Sequence, residues 1–226
     1  SAETTLLKLT SAYSAFVNGG KLVKPVIIDR VQDSEGNTIV NNEKRVCENC
    51  DQISFTSMDY PKIENNYLQA FSPQTAYQIT SMLEGVIQRG TGKKLRKLKL
   101  NLAGKTGTTN ENTDAWFIGF TSNLVIGVYV GMDNPSPLGK YETGSKTALP
   151  IFENFVSKAI KKSDARPFKV SEGITMMVVD PVTGQKAKFS SKDTIMEAYK
   201  SENVIDGKVL YSNKNRLDTN NILNFY

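Results

Sequence analysis

The chain has 226 residues, 28 of them basic and 23 acidic, with a formal net charge of +5 and no histidine. That length can bury one sizeable core, and a hydrophobic fraction of 39%, below the roughly 45–50% of globular chains, predicts one domain with a polar appendage. Two cysteines without histidine all but exclude a complete zinc site within the chain, and no run approaches the ~20 apolar residues of a membrane span.

In chain order, Leu6, Leu9, Tyr13, Phe16 and Val17 recur at helical spacing, with Thr4 or Thr5 as N-cap and Gly19-Gly20 as stop. Nothing around Ser1-Ala2-Glu3 has the basic start and apolar run of a signal peptide, so the chain as given is expected to be soluble. Pro25–Val31 and Thr38–Val40 flank the turn-rich Asp33-Ser-Glu-Gly-Asn37 and predict a peripheral β-hairpin. Residues 41–66 are rich in Asn, Asp and Glu and read as a long connection with one short strand near Ile53–Phe55. Within it, Cys47-Glu-Asn-Cys50 is read as a loop disulfide or two free thiols, with the disulfide favoured outside the cytoplasm.

Ser72-Pro73 is an N-cap with proline at the first helical position, and Ala76, Ile79, Met82, Leu83, Val86 and Ile87 mark one face of the helix that follows. Gly90-Thr-Gly92 ends it. The basic run Lys93-Lys-Leu-Arg-Lys-Leu-Lys99 could attract nucleic acid or an anionic membrane surface. No phosphate-cradling loop or aromatic stacking module accompanies it, so it reads as a solvated connection and no nucleic-acid partner is expected. Strands are predicted over 101–108, 115–121 and 124–130 as an antiparallel meander. Trp116 and Phe120 alternate with Phe117, which puts bulk on both faces and predicts helices on both sides. A loop over 134–144 leads to a helix from Thr147 to Ile160 with a stripe of Ile151, Phe152, Phe155, Val156 and Ala159. Beyond it, Ile174–Val179 reads as a strand and Thr194–Tyr199 as a short helix. The polar residues after Lys200 carry no predicted structure.

The stretch that organises the rest is Asn101-Leu-Ala-Gly-Lys105-Thr106-Gly107-Thr108-Thr109-Asn110, followed by Asp114-Ala-Trp-Phe-Ile-Gly119. An ammonium, hydroxyls and a side-chain-free backbone in sequence along a strand suit the docking of an anionic carbonyl substrate, and Lys-Thr-Gly is a motif of penicillin-binding proteins and class A β-lactamases. Ala103–Thr109, Asp114–Gly119 and Gly127-Val-Tyr-Val-Gly-Met-Asp133-Asn134 resemble the bifunctional, class A penicillin-binding proteins. Glu3–Gly20, Gly90–Gly92 and Thr147–Phe152 extend that resemblance over residues 3–160, with a weaker echo in 173–184.

The resemblance implies an α+β fold, an antiparallel sheet sandwiched by helices, here incomplete because the upstream part is missing. It places residues 1–160 in the C-terminal portion of the transpeptidase domain, with 41–66 as a loop insertion and 161–226 as a partly β extension whose tail after 200 is poorly ordered. It further implies a D,D-transpeptidase in which a serine takes the acyl group of a peptide ending in D-Ala-D-Ala and passes it to an amine on neighbouring peptidoglycan. The partners would be peptidoglycan stem peptides and β-lactams, and no metal or cofactor is called for. By the resemblance Lys105 supplies positive charge and bonds the second-motif serine, and the Thr106 and Thr108 hydroxyls bind the substrate carboxylate. The Thr108 N–H is an oxyanion donor, Gly107 keeps the strand surface clear, and Thr109 borders the binding stretch.

Two of the family's motifs are missing. No Ser-x-x-Lys occurs in the 226 residues, Thr5-Leu-Leu-Lys8 having the spacing but a threonine. Ser201-Glu-Asn203 lies after Lys-Thr-Gly instead of before it and reads as a chance match. The expectation is therefore an inactive part of an active parent, the parent anchored in the bacterial cytoplasmic membrane with this domain outside it, and the isolated chain self-associating through uncovered apolar faces. A non-catalytic peptidoglycan- or partner-binding module, a β-lactam sensor and a β-lactamase relative are the alternatives.

Overall fold

The structure is a computed structural model and describes residues 3–42, 46–50, 61–64, 67–189, 191, 193–205 and 207–209. Its centre is the predicted meander: β5 (Ala103–Thr108), β6 (Ala115–Phe120) and β7 (Val125–Val130), in that order and antiparallel throughout. The tight Ser122-Asn123 turn sets the β6–β7 register, with Ile118 opposite Gly127 and Trp116 opposite Tyr129, and across β5 and β6 Lys105 pairs with Ile118 and Gly107 with Trp116. Because side chains alternate along a strand, Lys105, Gly107, Trp116, Ile118 and Tyr129 share one face. Thr106, Thr108, Ala115 and Phe117 share the other.

Each face has its own helix. α1 (Leu6–Val17), capped by Thr5 whose Oγ1 accepts from Lys8 N at 3.2 Å, crosses the Lys105 face. There Gly127 carries no side chain, and a Cβ on it would stand 2.8 Å from Leu6 Cδ1. α3 (Ala148–Ala159) covers the Phe117 face with Ala148, Leu149, Phe152 and Val156 buried, and Phe117 and Phe152 stack with centroids 4.8 Å apart. The helix is rotated from the predicted stripe, because Ile151 and Phe155 are about half exposed, at 50% and 49%. α2 (Pro73–Gln88) begins as predicted, with Ser72 Oγ accepting from Thr75 N and Pro73 in the first turn, and packs along β5. Its buried residues include Tyr77 and Thr80, whereas Met82 is exposed. Thr80 is buried at little cost because its hydroxyl donates to Phe16 O.

The basic run departs from a plain solvated connection. Residues Lys93–Leu98 form a 3-10 helix that drives Leu95 into the core beside Ile87, Leu102 and Phe152. Its lysines and Arg96 stay at the surface, Lys97 in an ion pair with Glu153 on α3.

The predicted hairpin is present as β1 (Arg30–Gln32) and β2 (Thr38–Asn41), and its turn is held by Asp33, whose carboxylate accepts from the Glu35 and Asn37 N–H groups. These bonds hold the Asp33 carboxyl below its ordinary range, the Asn37 side-chain amide contributing most. In the 41–66 segment β3 (Val46–Glu48) pairs with β4 (Lys62–Glu64), and Cys47 and Cys50 form a disulfide. The strand expected near Ile53–Phe55 lies outside the described residues.

One element is corrected. The helix expected over Thr194–Tyr199 is absent: from Ile195 the segment is a strand, β9 (Ile195–Lys200), paired antiparallel with β8 (Ile174–Val179). The hairpin seats Ala198 against α2, where Gln78 Nε2 donates to Ala198 O and Arg89 pairs with Glu197. Past Lys200, β10 (Val204–Ile205) and β11 (Lys208–Val209) form a short pair with Val209 buried. This is structure where the polar composition predicted none.

Candidate functional site

Where α1 crosses the end of the sheet it leaves a cleft of about 660 Å3, floored by Lys105, Gly107, Trp116 and Tyr129 and walled by Leu9 and Tyr13. Thr106, Thr108, Thr109 and Asp114 also line it, so every residue singled out in the Lys-Thr-Gly-Thr-Thr stretch borders one cavity. β5 supplies most of them and is an edge strand of the meander, paired among the described residues with β6 alone.

The side chains sort by alternation. Lys105 stands on the α1 face, exposed, its Nζ donating to Thr106 O at 2.8 Å. Among the described residues no carboxylate pairs with it, which leaves the ammonium available to an anion. The Thr106 and Thr108 side chains leave β5 on its other side, yet both residues line the same cleft, which therefore runs along the edge of the strand. Thr106 Oγ1 shares a 3.0 Å hydrogen bond with Thr91 Oγ1, and Thr108 Oγ1 accepts from Gly144 N at 3.0 Å. Either hydroxyl keeps hydrogen-bonding capacity beyond that one contact.

Gly144 was not singled out in the sequence. It is buried against β5, and a Cβ there would come within 2.5 Å of Gly107 O and against Trp116 O. The loop that contains it is stitched to the far side of the cleft through Leu138 N donating to Asn112 O. Gly107 is less constrained, since a Cβ would meet only Trp116 Cβ at 3.1 Å, but that Cβ would project into the cleft.

The cleft's far end is a polar knot. Thr109 N donates to Asp114 O, Asp114 N donates to Thr109 Oγ1 at 2.8 Å, and Thr109 Oγ1 shares a 2.7 Å bond with Thr113 Oγ1. Tyr129 OH donates to Asp114 Oδ1 at 2.9 Å, and its ring lies 4.5 Å from that of Trp116. That hydrogen bond to a carboxylate pushes the Tyr129 hydroxyl pKa up from 10.0, and burial pushes up that of Tyr13. Tyr129 could have been found in the sequence, because a two-residue turn at Ser122-Asn123 places it opposite Trp116. Among the described residues no cluster of three or more His, Cys, Asp or Glu could hold a metal, and no helix is long and apolar enough to cross a membrane.

A family model described as the penicillin binding protein transpeptidase domain matches residues 2–157. Penicillin-binding protein 1A of Rickettsia bellii is 39% identical over 222 residues, which are 95% of this chain and 28% of that protein. The protein of the same name from Pseudomonas aeruginosa is 32% identical over 231 residues, covering 89% of this chain and 28% of its own length. The 2.6 Å crystal structure of penicillin-binding protein 1A from Haemophilus influenzae superposes with a TM-score of 0.73 at 30% identity, over 88% of this chain and 32% of that one. The chain spans about a quarter of the length of these curated relatives.

Proposed function

The chain belongs to the penicillin-binding protein transpeptidase family and has part of that family's α+β fold, and on that premise we propose that it supplies the Lys-Thr-Gly strand of a serine D,D-transpeptidase. The observation that carries the reading is the convergence of Lys105, Thr106, Gly107, Thr108 and Thr109 on one cleft at a sheet edge, with no carboxylate among the described residues paired to the Lys105 ammonium. The parent protein is read as a cell-wall enzyme held at the bacterial cytoplasmic membrane, its transpeptidase domain outside, acting on peptidoglycan stem peptides and acylated by β-lactams.

Two acyl transfers make up the reaction. A serine oxygen bonds to the carbonyl carbon of the penultimate D-alanine as the C–N bond to the terminal D-alanine breaks, and the serine proton leaves with the departing amine. An acceptor amine then forms a C–N bond at the ester carbon, the serine oxygen leaves, and the amine's proton returns to it. Lys105 attracts the substrate's terminal carboxylate and stabilises negative charge on the hydroxyl network. The Thr106 and Thr108 hydroxyls, each tied back by one bond to Thr91 or Gly144, hold that carboxylate, and Thr109 bounds its pocket. The Thr108 N–H donates to the oxyanion, a contact that contributes about 100- to 1,000-fold in comparable sites. A β-lactam follows the first step alone, because the nitrogen released by ring opening stays tethered to the acyl group.

The nucleophile is assigned to a part of the parent outside these residues, since no Ser-x-x-Lys is present. By itself the chain is then unable to acylate. The test is the second-order rate of labelling by a fluorescent penicillin in the full-length protein. Lys105→Ala is expected to lower it about 100- to 1,000-fold, and a rate within twofold of the unsubstituted protein would refute the assignment.

A further inference from the structure

α2 shows two faces to the rest of the chain. Tyr77, Thr80 and Ile87 are buried in the core, whereas Gln74, Gln78, Gly85 and Arg89 recur at helical spacing along a second stripe. That stripe is gripped by the extension, which lies beyond residue 157, where the match to the transpeptidase domain ends. Gln74 Nε2 donates to Glu172 O at 3.0 Å, Gln78 Nε2 donates to Ala198 O at 3.0 Å, and Arg89 pairs with Glu197 on β9. Gly85 lets the Arg89 side chain lie back along the helix, since a Cβ on it would stand 2.8 Å from Arg89 Nη2.

Just past Arg89 the chain leaves the helix in a turn with little freedom. Gly90 N and Gly92 N both donate to Val86 O, at 3.0 and 3.1 Å. A Cβ on Gly90 would stand 2.9 Å from Val86 Cα, and one on Gly92 2.6 Å from Ile87 Cδ1. Thr91, between them, is held by this turn, and its Oγ1 lies 3.0 Å from Thr106 Oγ1 in a shared hydrogen bond. Either oxygen can donate in that bond, but an ionised carboxylate only accepts. Thr106 can therefore hold a carboxylate only by donating to it, and Thr91 must then be the donor to Thr106 Oγ1.

We propose that Thr91 is a positioning residue that turns the Thr106 proton toward the substrate carboxylate, and that the β8–β9 hairpin keeps it in place through Glu197 and Arg89. This rests on the transpeptidase reading above and adds to it a role for the extension at that site.

The test is run on the full-length protein and reads the ratio of labelling rates by a fluorescent penicillin and by its carboxylate methyl ester, which offers Thr106 no ionised oxygen. Thr91→Val keeps the shape and removes the donor. It should narrow the ratio about fivefold, the net worth of one hydrogen bond, and Thr91→Ser should restore it to within about twofold. Glu197→Arg, which sets two guanidinium groups against each other, should narrow the ratio about threefold, and adding Arg89→Glu should recover most of that loss by restoring an opposite pair. An unchanged ratio in Thr91→Val, with both probes slowed alike, would overturn the positioning role. An unchanged ratio in Glu197→Arg would overturn the role of the hairpin. Either result would leave the transpeptidase reading in place, whereas absence of labelling of the unsubstituted protein by the penicillin would overturn both.

Discussion

Gly144 is the residue at which the cleft is least tolerant of any side chain. A methyl group there meets two backbone carbonyls, those of Gly107 and Trp116, neither of which can swing aside. Gly144→Ala should therefore cost about 3 kcal/mol, at the upper end for overpacking, read by urea unfolding of the chain. Gly107→Ala should cost under about 1 kcal/mol in the same measurement, because its Cβ meets one side-chain carbon at 3.1 Å. Equal losses would contradict the packing described here. The contrast also shows what could be read from sequence at this scale. The contiguous motif put Lys105 to Thr109 together on one strand, and the structure lines one cleft with all five, while the position of Tyr129 was recoverable from turn geometry. Gly144 was not, since its role is a close approach to a strand 37 residues earlier, which no local pattern records.

Among the elements, α2 carries the most testable chemistry. Its Ser72 cap satisfies the Thr75 N–H, so Ser72→Ala should lower stability by about 1 kcal/mol and Ser72→Asp by much less. Further along, burial raises the Glu84 carboxyl above its ordinary 4.5. The folded state therefore holds that proton more tightly than the unfolded chain, and stability is lost as pH rises through the window between the unfolded and folded values. Glu84→Gln should thus stabilise the chain at pH 7, with the gain vanishing below pH 4; a gain independent of pH would contradict the burial argument.

Element type was legible where capping and period agreed, as at Thr5, Ser72-Pro73 and the meander. It failed at Ile195–Lys200, where six residues fit either period. Pairing with β8 and the seating of Ala198 on α2 settled the outcome. The face of α3 was misread for a related reason. Ile151 and Phe155 fit the stripe by spacing, but the sheet they would cover is already filled by Leu149, Phe152 and Val156.

At the scale of the whole molecule, three layers around a three-stranded meander leave much apolar surface uncovered. Ile27, ahead of the peripheral ribbon, is 93% exposed and Ile39, on it, 66%; Leu68 is 69% exposed, and Tyr129 stays open to the cleft. Apolar exposure on this scale predicts self-association of the isolated chain, seen as a rise in weight-average mass with concentration by size-exclusion chromatography with light scattering. A constant monomer mass would contradict it. The fold class was legible as a whole because one block of motif residues spans the meander. The division of the extension was not, since β8 and β9 pack on α2 through long-range contacts with no sequence signature.

The central claim is that this chain completes, but does not contain, an acylating site. Intact-mass spectrometry after incubation with a penicillin, on the 226-residue chain and on the full-length protein in parallel, tests it most directly. A single penicilloyl adduct on the full-length protein, lost together with transfer activity in Lys105→Ala, and no adduct on the 226-residue chain is the predicted result. A stoichiometric adduct on the 226-residue chain would contradict the account, as would an unmodified full-length protein.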